Sequence, residues 1–438
     1  MRYLLVALFF LSSLFVYPQT AKTIIDQLIT INKTITDTNC KNSSSIISNR
    51  AMNIFLAYEM GYAFEKTDLS FYTNYVSLNT AEGNFSVSHN FQKSKPNDEQ
   101  IKKLFNLGIS SNILKGFVPI FLDKMLQNEI ILTFNYKWLG KVKTTVTSCL
   151  NEKNGINQKQ AINVLRASIL QVLIAEIKKK EIDFENAIAT VDSVEVPGQN
   201  INAAKVTMRK YFYEKLQEEY ALKFSILQAE ILSDKQYFKK ISTSYTSMSI
   251  NVPVIYPKYY VASSISTKFQ QKHSYPLEIT LSHTRFWESV RNGKLFLTIG
   301  GNVLFSNSVS SYALTKTNLT NYKNSGGSDT NFLATLQNNK AYIGNYKKNF
   351  TPLISMRLNY FPPSSHIGLS ILAEQSIGSY SILNTRIGLP IVLINNKQIP
   401  AVNFEFYVLF YDMNNKLHWQ NNTSVGVGMG IPLSRLMY

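Results

Sequence analysis

Charge is scarce in this sequence: only 17% of the residues are Asp, Glu, Lys or Arg, against about 25% in an ordinary soluble protein. Cysteine is scarcer. Two residues, Cys40 and Cys149, exclude a disulfide framework and a structural zinc site, which needs four ligands at short spacing. In an oxidising compartment they are the only intramolecular pair available. The five histidines, His89, His273, His283, His366 and His418, form no metal spacing with one another or with cysteine. His283 follows Ser282, but neighbours on a strand point to opposite faces and make no dyad. Gly300-Gly301 and Gly326-Gly327 lack the strand–loop–helix context of a phosphate cradle. The sequence thus gives no reason to expect an enzyme, a metal or a cofactor.

Long hydrophobic runs are also missing. Met1-Arg2 precedes one apolar stretch, Tyr3 to Val16, followed by Tyr17-Pro18-Gln19-Thr20, the pattern of a cleaved secretory signal peptide over 1–20. Beyond it nothing approaches the roughly 18 apolar residues of a spanning helix. Even Ala161 to Ile177 is broken by Asn163, Arg166, Ser168, Gln171 and Glu176. An exported chain without such a helix either stays in water or spans a membrane as a closed barrel.

What the sequence does contain is aromatic residues, 12% of the chain with 25 Tyr and 26 Phe, and a persistent period of two. Val402, Phe404, Phe406, Val408 and Phe410 alternate with Asn403, Glu405, Tyr407 and Leu409, which is strand spacing. The same alternation runs through Leu383–Leu393, Ile354–Tyr360, Leu295–Phe305, Leu277–Leu281, Met248–Val254 and Ile130–Trp138, and through Ile54, Leu56, Tyr58, Met60, Tyr62 and Phe64. Weaker cases lie at 68–78, 84–92, 103–113, 258–269, 366–375 and 422–434. These segments run about eight to fourteen residues, long for a sandwich strand and suited to crossing a bilayer at a tilt. The face opposite the apolar one carries Ser, Thr, Asn and Gly rather than Lys and Glu.

Between Asn157 and Lys240 the period changes to three and four. Ile162, Leu165, Ile169, Val172, Leu173 and Ile177, then Leu216, Tyr220, Phe224, Leu227 and Ile231, predict two long helices broken at Val196-Pro197-Gly198. Residues 21–50 read as a weaker helical stretch with a polar link. The expected organisation is a leader at 1–20, the N-terminal segment at 21–50, first barrel strands at 51–143, a helical hairpin insertion at 144–241, and the remaining strands at 242–438 with a long loop at 308–349. The fold class is mainly β, an antiparallel transmembrane β-barrel of about 14 strands (12 to 14) with an inserted α-helical hairpin.

The last segment, Ser424-Val-Gly-Val-Gly-Met-Gly-Ile-Pro-Leu433 ending in Tyr438, resembles the closing strand of Gram-negative outer-membrane β-barrel proteins. The whole is similar in layout to barrels of the Bacteroidetes type. In that class a terminal aromatic with apolar residues before it at alternate positions, here Tyr438 and Leu436, is the signal read by the barrel assembly machinery. Ser434 and Pro432 depart from the pattern, and Val425, Val427, Met429 and Ile431 keep the opposite phase. The resemblance implies the outer membrane, after secretory export, with a periplasmic C-terminus.

Counting nine strands between 243 and 434 then puts the helical hairpin outside the cell. Short turns at 255–257, 289–292, 361–365 and 395–399 fall on the periplasmic side. The apolar connection 114–126 also falls on that side, where it does not suit a short-turn end.

The charges on the polar strand faces are Glu59, Lys137, Lys268, Glu278, Arg357, Glu374, Arg386 and Glu405. They are read as a selectivity lining for a solute path or as an ion-pair network filling a closed lumen. The loop from Ser308 to Asn349 holds five Lys against Asp329, which suits contact with lipopolysaccharide phosphates or plain solvation. Nothing points to nucleic acid. Two functions stand: an outer-membrane channel, transporter or surface-interaction protein in contact with lipid, or an exported soluble or peripheral two-module adhesin or structural protein. The sequence fixes neither cargo nor oligomeric state.

Overall fold

The computed structural model describes residues 20–36, 46–62, 75–79, 84–91, 101–112, 121–122, 125–126, 130–145, 158–191, 201–235, 238–254, 258–264, 269–273, 276–309, 314–317, 341–378, 381–395, 400–414 and 423–432. The leader up to residue 19, Cys40, Cys149, Val196-Pro197-Gly198, Lys268, Leu436 and Tyr438 lie outside the described residues. The chain divides into two compact units. One comprises residues 1–55, 95–100 and 144–239, the other 56–94, 101–143 and 240–438.

The larger unit is a closed antiparallel barrel. Its strands are β1 (Tyr75–Asn79), β2 (Asn84–Asn90), β3 (Lys103–Asn112), β4 (Ile131–Leu139), β5 (Lys240–Pro253), β6 (Glu278–Ser289), β7 (Gly293–Asn307), β8 (Lys348–Phe361), β9 (Leu369–Ser376), β10 (Leu383–Ile394), β11 (Pro400–Phe410) and β12 (Thr423–Pro432). Each strand pairs with its neighbours in sequence, and β12 pairs with β1, Ile431 facing Val76. Each of the twelve barrel strands is paired on both sides, which is how an all-β wall avoids pairing with other chains. One short extra strand, Lys143–Thr145, lies beside β5.

Twelve strands close the barrel, and two of the fourteen expected ones are something else. The segment 54–64 is not a strand but the end of a helix, Asn49–Met60. Its alternation misleads because Ala51, Met52, Ile54, Phe55, Leu56, Tyr58 and Met60 are all buried; a helix covered on every side need not show a 3.6 period. The Ser48 hydroxyl accepts a hydrogen bond from the amide of Ala51 at 3.1 Å, an N-cap that marks the helix start. The segment 258–269 also stays out of the barrel. Lys258–Ala262 joins Gln270–His273, Ala341–Ile343 and Thr315–Thr317 in a separate four-stranded sheet built from the β5–β6 and β7–β8 connections.

Losing that strand changes the parity. Eight strands, not nine, run from β5 to β12, so β5 begins at the end of the barrel where β12 finishes. The insertion after β4 therefore leaves and rejoins the barrel at the C-terminal end, which overturns the placement expected from the sequence. The short turns 290–292, 362–368 and 395–399 lie at this end too, as expected, whereas 254–277 moves to the opposite end beside 308–347. The apolar connection 113–130 also moves to the long-loop end, which removes the anomaly the strand count had left.

The smaller unit is helical. We number its helices α1 (Ala21–Thr36), α2 (Asn49–Met60, which continues into the barrel unit), α3 (Gln158–Val191) and α4 (Ile201–Lys235). Ala21, Ile24 and Leu28 of α1 pack with Leu170, Leu173 and Ile177 of α3 and with Tyr213, Leu216, Tyr220 and Phe224 of α4. Val172, expected in this seam, is exposed, and Leu170 takes its place. Arg166 is fully buried and donates to the carbonyls of Ile46 and Asn32 at 3.2 and 2.9 Å. No described helix is long and apolar enough to cross a membrane.

Candidate functional site: the barrel wall and its lumen

Register fixes which way every barrel side chain points, because residues facing each other across a ladder share a face. On β5–β8 the aligned row Met248, Leu281, Gly301 and Ile354 points outward. One step along, Ser247, Ser282, Gly300 and Ser355 point inward. The alternation holds round the wall. Ile299, Ile354, Met356, Ile371, Ile387, Leu389, Phe406 and Val425 are exposed on the outside, while Asn106, Asn135, Ser247, Ser249, Thr284, Asn359, Ser370, Asn403 and Glu405 are buried inside. The barrel is thus apolar outside and polar inside, the reverse of a water-soluble domain.

The lumen charges fall into groups. Arg386 of β10 lies 3.4 Å from the Glu405 carboxylate of β11, and its guanidinium stacks 4.9 Å from the Tyr407 ring centroid. The Ser370 hydroxyl of β9 donates to the same carboxylate. Gly388 makes this contact fit: a methyl there would overlap both Glu405 and Ser370. Arg357 of β8 is level with Arg386 across Leu372, with Glu374 one inward step away. Glu278 of β6 accepts from the side-chain amides of Asn251 at 3.0 Å and Asn302 at 2.6 Å. Lys137 of β4 is fully buried, its ammonium 5.9 Å from the Tyr245 ring centroid.

A further group closes the C-terminal end. Glu59, expected on a strand, instead comes from the last turn of α2 and contacts the Lys294 ammonium of β7, which also lies 3.8 Å from Glu288 of β6. Lys294 sits 3.7 Å over the Tyr62 ring, and the Tyr62 hydroxyl is 2.9 Å from His366 Nδ1 in the β8–β9 turn. Burial pushes the Tyr62 phenol up to about 12, so it keeps its proton. Burial and the Lys294 charge push His366 below its ordinary value, which favours the neutral, accepting imidazole. Asn403 donates to the carbonyl of Gly61. Residues 56–62 are thereby fastened to the inner wall by side chains of β6, β7 and β11 and by the β8–β9 turn.

Of the charges singled out in the sequence, Lys137, Glu278, Arg357, Glu374, Arg386 and Glu405 do face the lumen, and Glu59 reaches it from a helix. They form separate groups rather than one track. Glu288, Lys294 and Tyr62 were missed. Parity places the first two inward, but they flank a three-residue turn and read as rim charges. With both signs interleaved and most of these groups buried, the lumen is an internally compensated network rather than a lining of one sign. No protein-family model matches the chain, and no curated protein matches it closely enough to count as a relative.

Proposed function

We propose that the chain is an exported outer-membrane protein whose barrel is an occluded anchor, and that it acts by surface interaction through what the barrel holds at its two ends. The reversed polarity of the wall carries this reading. Side chains such as Phe406, Ile354 and Ile299, each half exposed or more, form a ring of apolar surface that water would penalise and lipid would not. The competing two-module protein in water would have to leave that ring uncovered. A steady diffusion pore is disfavoured by the buried lumen charges and by residues 56–62 at the C-terminal end.

Export begins with the signal segment, and the barrel assembly machinery reads the closing strand. If the C-terminal end faces the periplasm, the insertion joins the barrel on that side. The lysine-rich 308–349 connection then faces outward, where lipopolysaccharide phosphates are its natural contact.

The test is electrophoretic mobility of membrane fractions, unheated and boiled, with external protease on intact cells. The expected result is a heat-modifiable band, cleavage within the long connections at the far end, and a helical insertion cut only after the outer membrane is permeabilised. Recovery as a monomer without detergent would refute the reading.

A further inference from the structure

On β5 and β6 the apolar series of the outer wall is cut short. On β7 the outward residues stay apolar or glycine from Leu295 to Phe305, about 33 Å of strand at about 3.3 Å per residue. On β5 the outward series is polar at Ser242, Ser244 and Thr246 and turns apolar only from Met248 to Val254, about 20 Å. The facing positions on β6 are His283, opposite Thr246, and Arg285, opposite Ser244. Both are exposed. The His283 ring nitrogen Nδ1 lies 3.0 Å from the Thr246 hydroxyl, and the Arg285 guanidinium lies 4.9 Å from the Trp287 ring centroid. Trp138 of β4, opposite Thr246, bounds the patch on the other side. Among the described residues, the outward faces of β4 to β7 hold no carboxylate; Glu278 and Glu288 point into the lumen.

We propose that this patch binds the phosphate of a lipid headgroup in the leaflet at the C-terminal end of the barrel. An exposed guanidinium four residues in from the strand end needs an anion, and its own wall supplies none. Phosphate fits its fork of donors, with the imidazole and the Thr246 and Ser244 hydroxyls completing the polar surround. Two indoles beside the patch are where aromatic residues gather at the headgroup level. The shortened apolar series on β5 follows, because lipid headgroups ride higher on this side of the barrel. The inference rests on the proposed membrane location.

The test uses the full chain in an uncharged maltoside detergent, titrated with dihexanoyl-phosphatidylglycerol and followed by tryptophan emission. Saturable binding is expected, weakened at least about tenfold in Arg285→Gln and only partly restored in Arg285→Lys, which keeps the charge but not the fork, while short-chain diacylglycerol, which lacks phosphate, gives no response. Heat modifiability of the same samples confirms that each variant is folded. Equal binding by Arg285→Gln overturns the proposal. So does a response to inorganic phosphate at the same concentrations, which makes free phosphate the ligand. A drop in assembly size on Arg285→Gln also overturns it, because the patch then faces a second copy. A wild-type chain that stays monodisperse without detergent sinks the membrane reading itself; a detergent-requiring barrel indifferent to Arg285 sinks only the headgroup site.

Discussion

Phe406→Arg separates the two environments by the size of its cost. Phe406 sits near the middle of β11 with half its surface exposed, between Leu389 of β10 and Val427 of β12. If that face meets lipid, an arginine at midplane depth costs about 2–4 kcal/mol, a roughly 30- to 700-fold loss in the folding equilibrium. If it meets water, the charge itself is nearly free and only the ring contacts are lost. Phe406→Ala removes the same ring, so the difference between the arginine and alanine variants isolates the charge. Val402→Arg, on the same face close to the start of β11, should cost only about 0–1 kcal/mol if depth matters. The measurement is reversible denaturant unfolding in phospholipid vesicles, with the heat-modifiable band as a check on native structure. Arginine within about 0.5 kcal/mol of alanine at 406, the scatter of ordinary surface substitutions, would refute the lipid-facing assignment, as would an equal penalty at 402.

The sequence alone suggests that Thr298→Arg, one residue from the outward Leu297, is tolerated in a wet lumen. The structure reverses this. Thr298 is buried, 2.9 Å from the Thr284 hydroxyl and opposite Arg357, so the variant should assemble poorly, by about 1–3 kcal/mol from overpacking alone; unchanged stability would mean the lumen is open at that level. Gly388→Ala should destabilise by a similar about 1–3 kcal/mol, and because the added methyl meets the Ser370 hydroxyl the penalty should shrink in a Ser370→Gly background; an unchanged penalty there would refute the packing explanation. In the helical unit, Arg209 lowers Glu185 and Lys223 lowers Glu176 below the ordinary carboxylate value. A depressed carboxylate stabilises above its unfolded value and loses that contribution as pH falls. Helical circular dichroism of the full chain under mild denaturant should therefore weaken on acidification below about pH 4.5, and Glu176→Gln with Glu185→Gln should flatten the dependence.

Facing was legible and counting was not, for different physical reasons. The period of two is local: each of Val402 to Phe410 carries its own record of which side is apolar, and the twelve-strand wall honours it. The long helices were legible because α3 and α4 each bury one stripe and solvate the rest. Helix α2 was not, since burial on nearly every side erases the stripe, and the only surviving signal was Ser48 at its N-cap. The lumen charges were found wherever strand parity applied. Their partners were not, because pairing such as Arg386 with Glu405, or Glu59 with Lys294, depends on which strands become neighbours and on a helix end reaching the barrel.

Parity is where a local error becomes global. Lys258–Ala262 has the composition of a barrel strand, yet it pairs in parallel with Ala341–Ile343 and leaves the wall to its neighbours β5 and β6, which pair directly with each other. Removing one strand from the second half moves the point where the chain leaves and rejoins the wall for the insertion from one end of the barrel to the other, while every facing assignment within the strands stays as it was. It also takes the apolar 113–130 connection away from the short-turn end. That relocation was implicit in the sequence as an inconsistency: a long apolar connection among short turns signals a miscounted strand somewhere between it and the C-terminus. A topology read from strand alternation is therefore best judged by whether its connection lengths sort by end. By that criterion the twelve-strand order keeps the two shortest hairpin turns of β5 to β12, 290–292 and 395–399, at the C-terminal end and sends the three longest non-helical connections to the other.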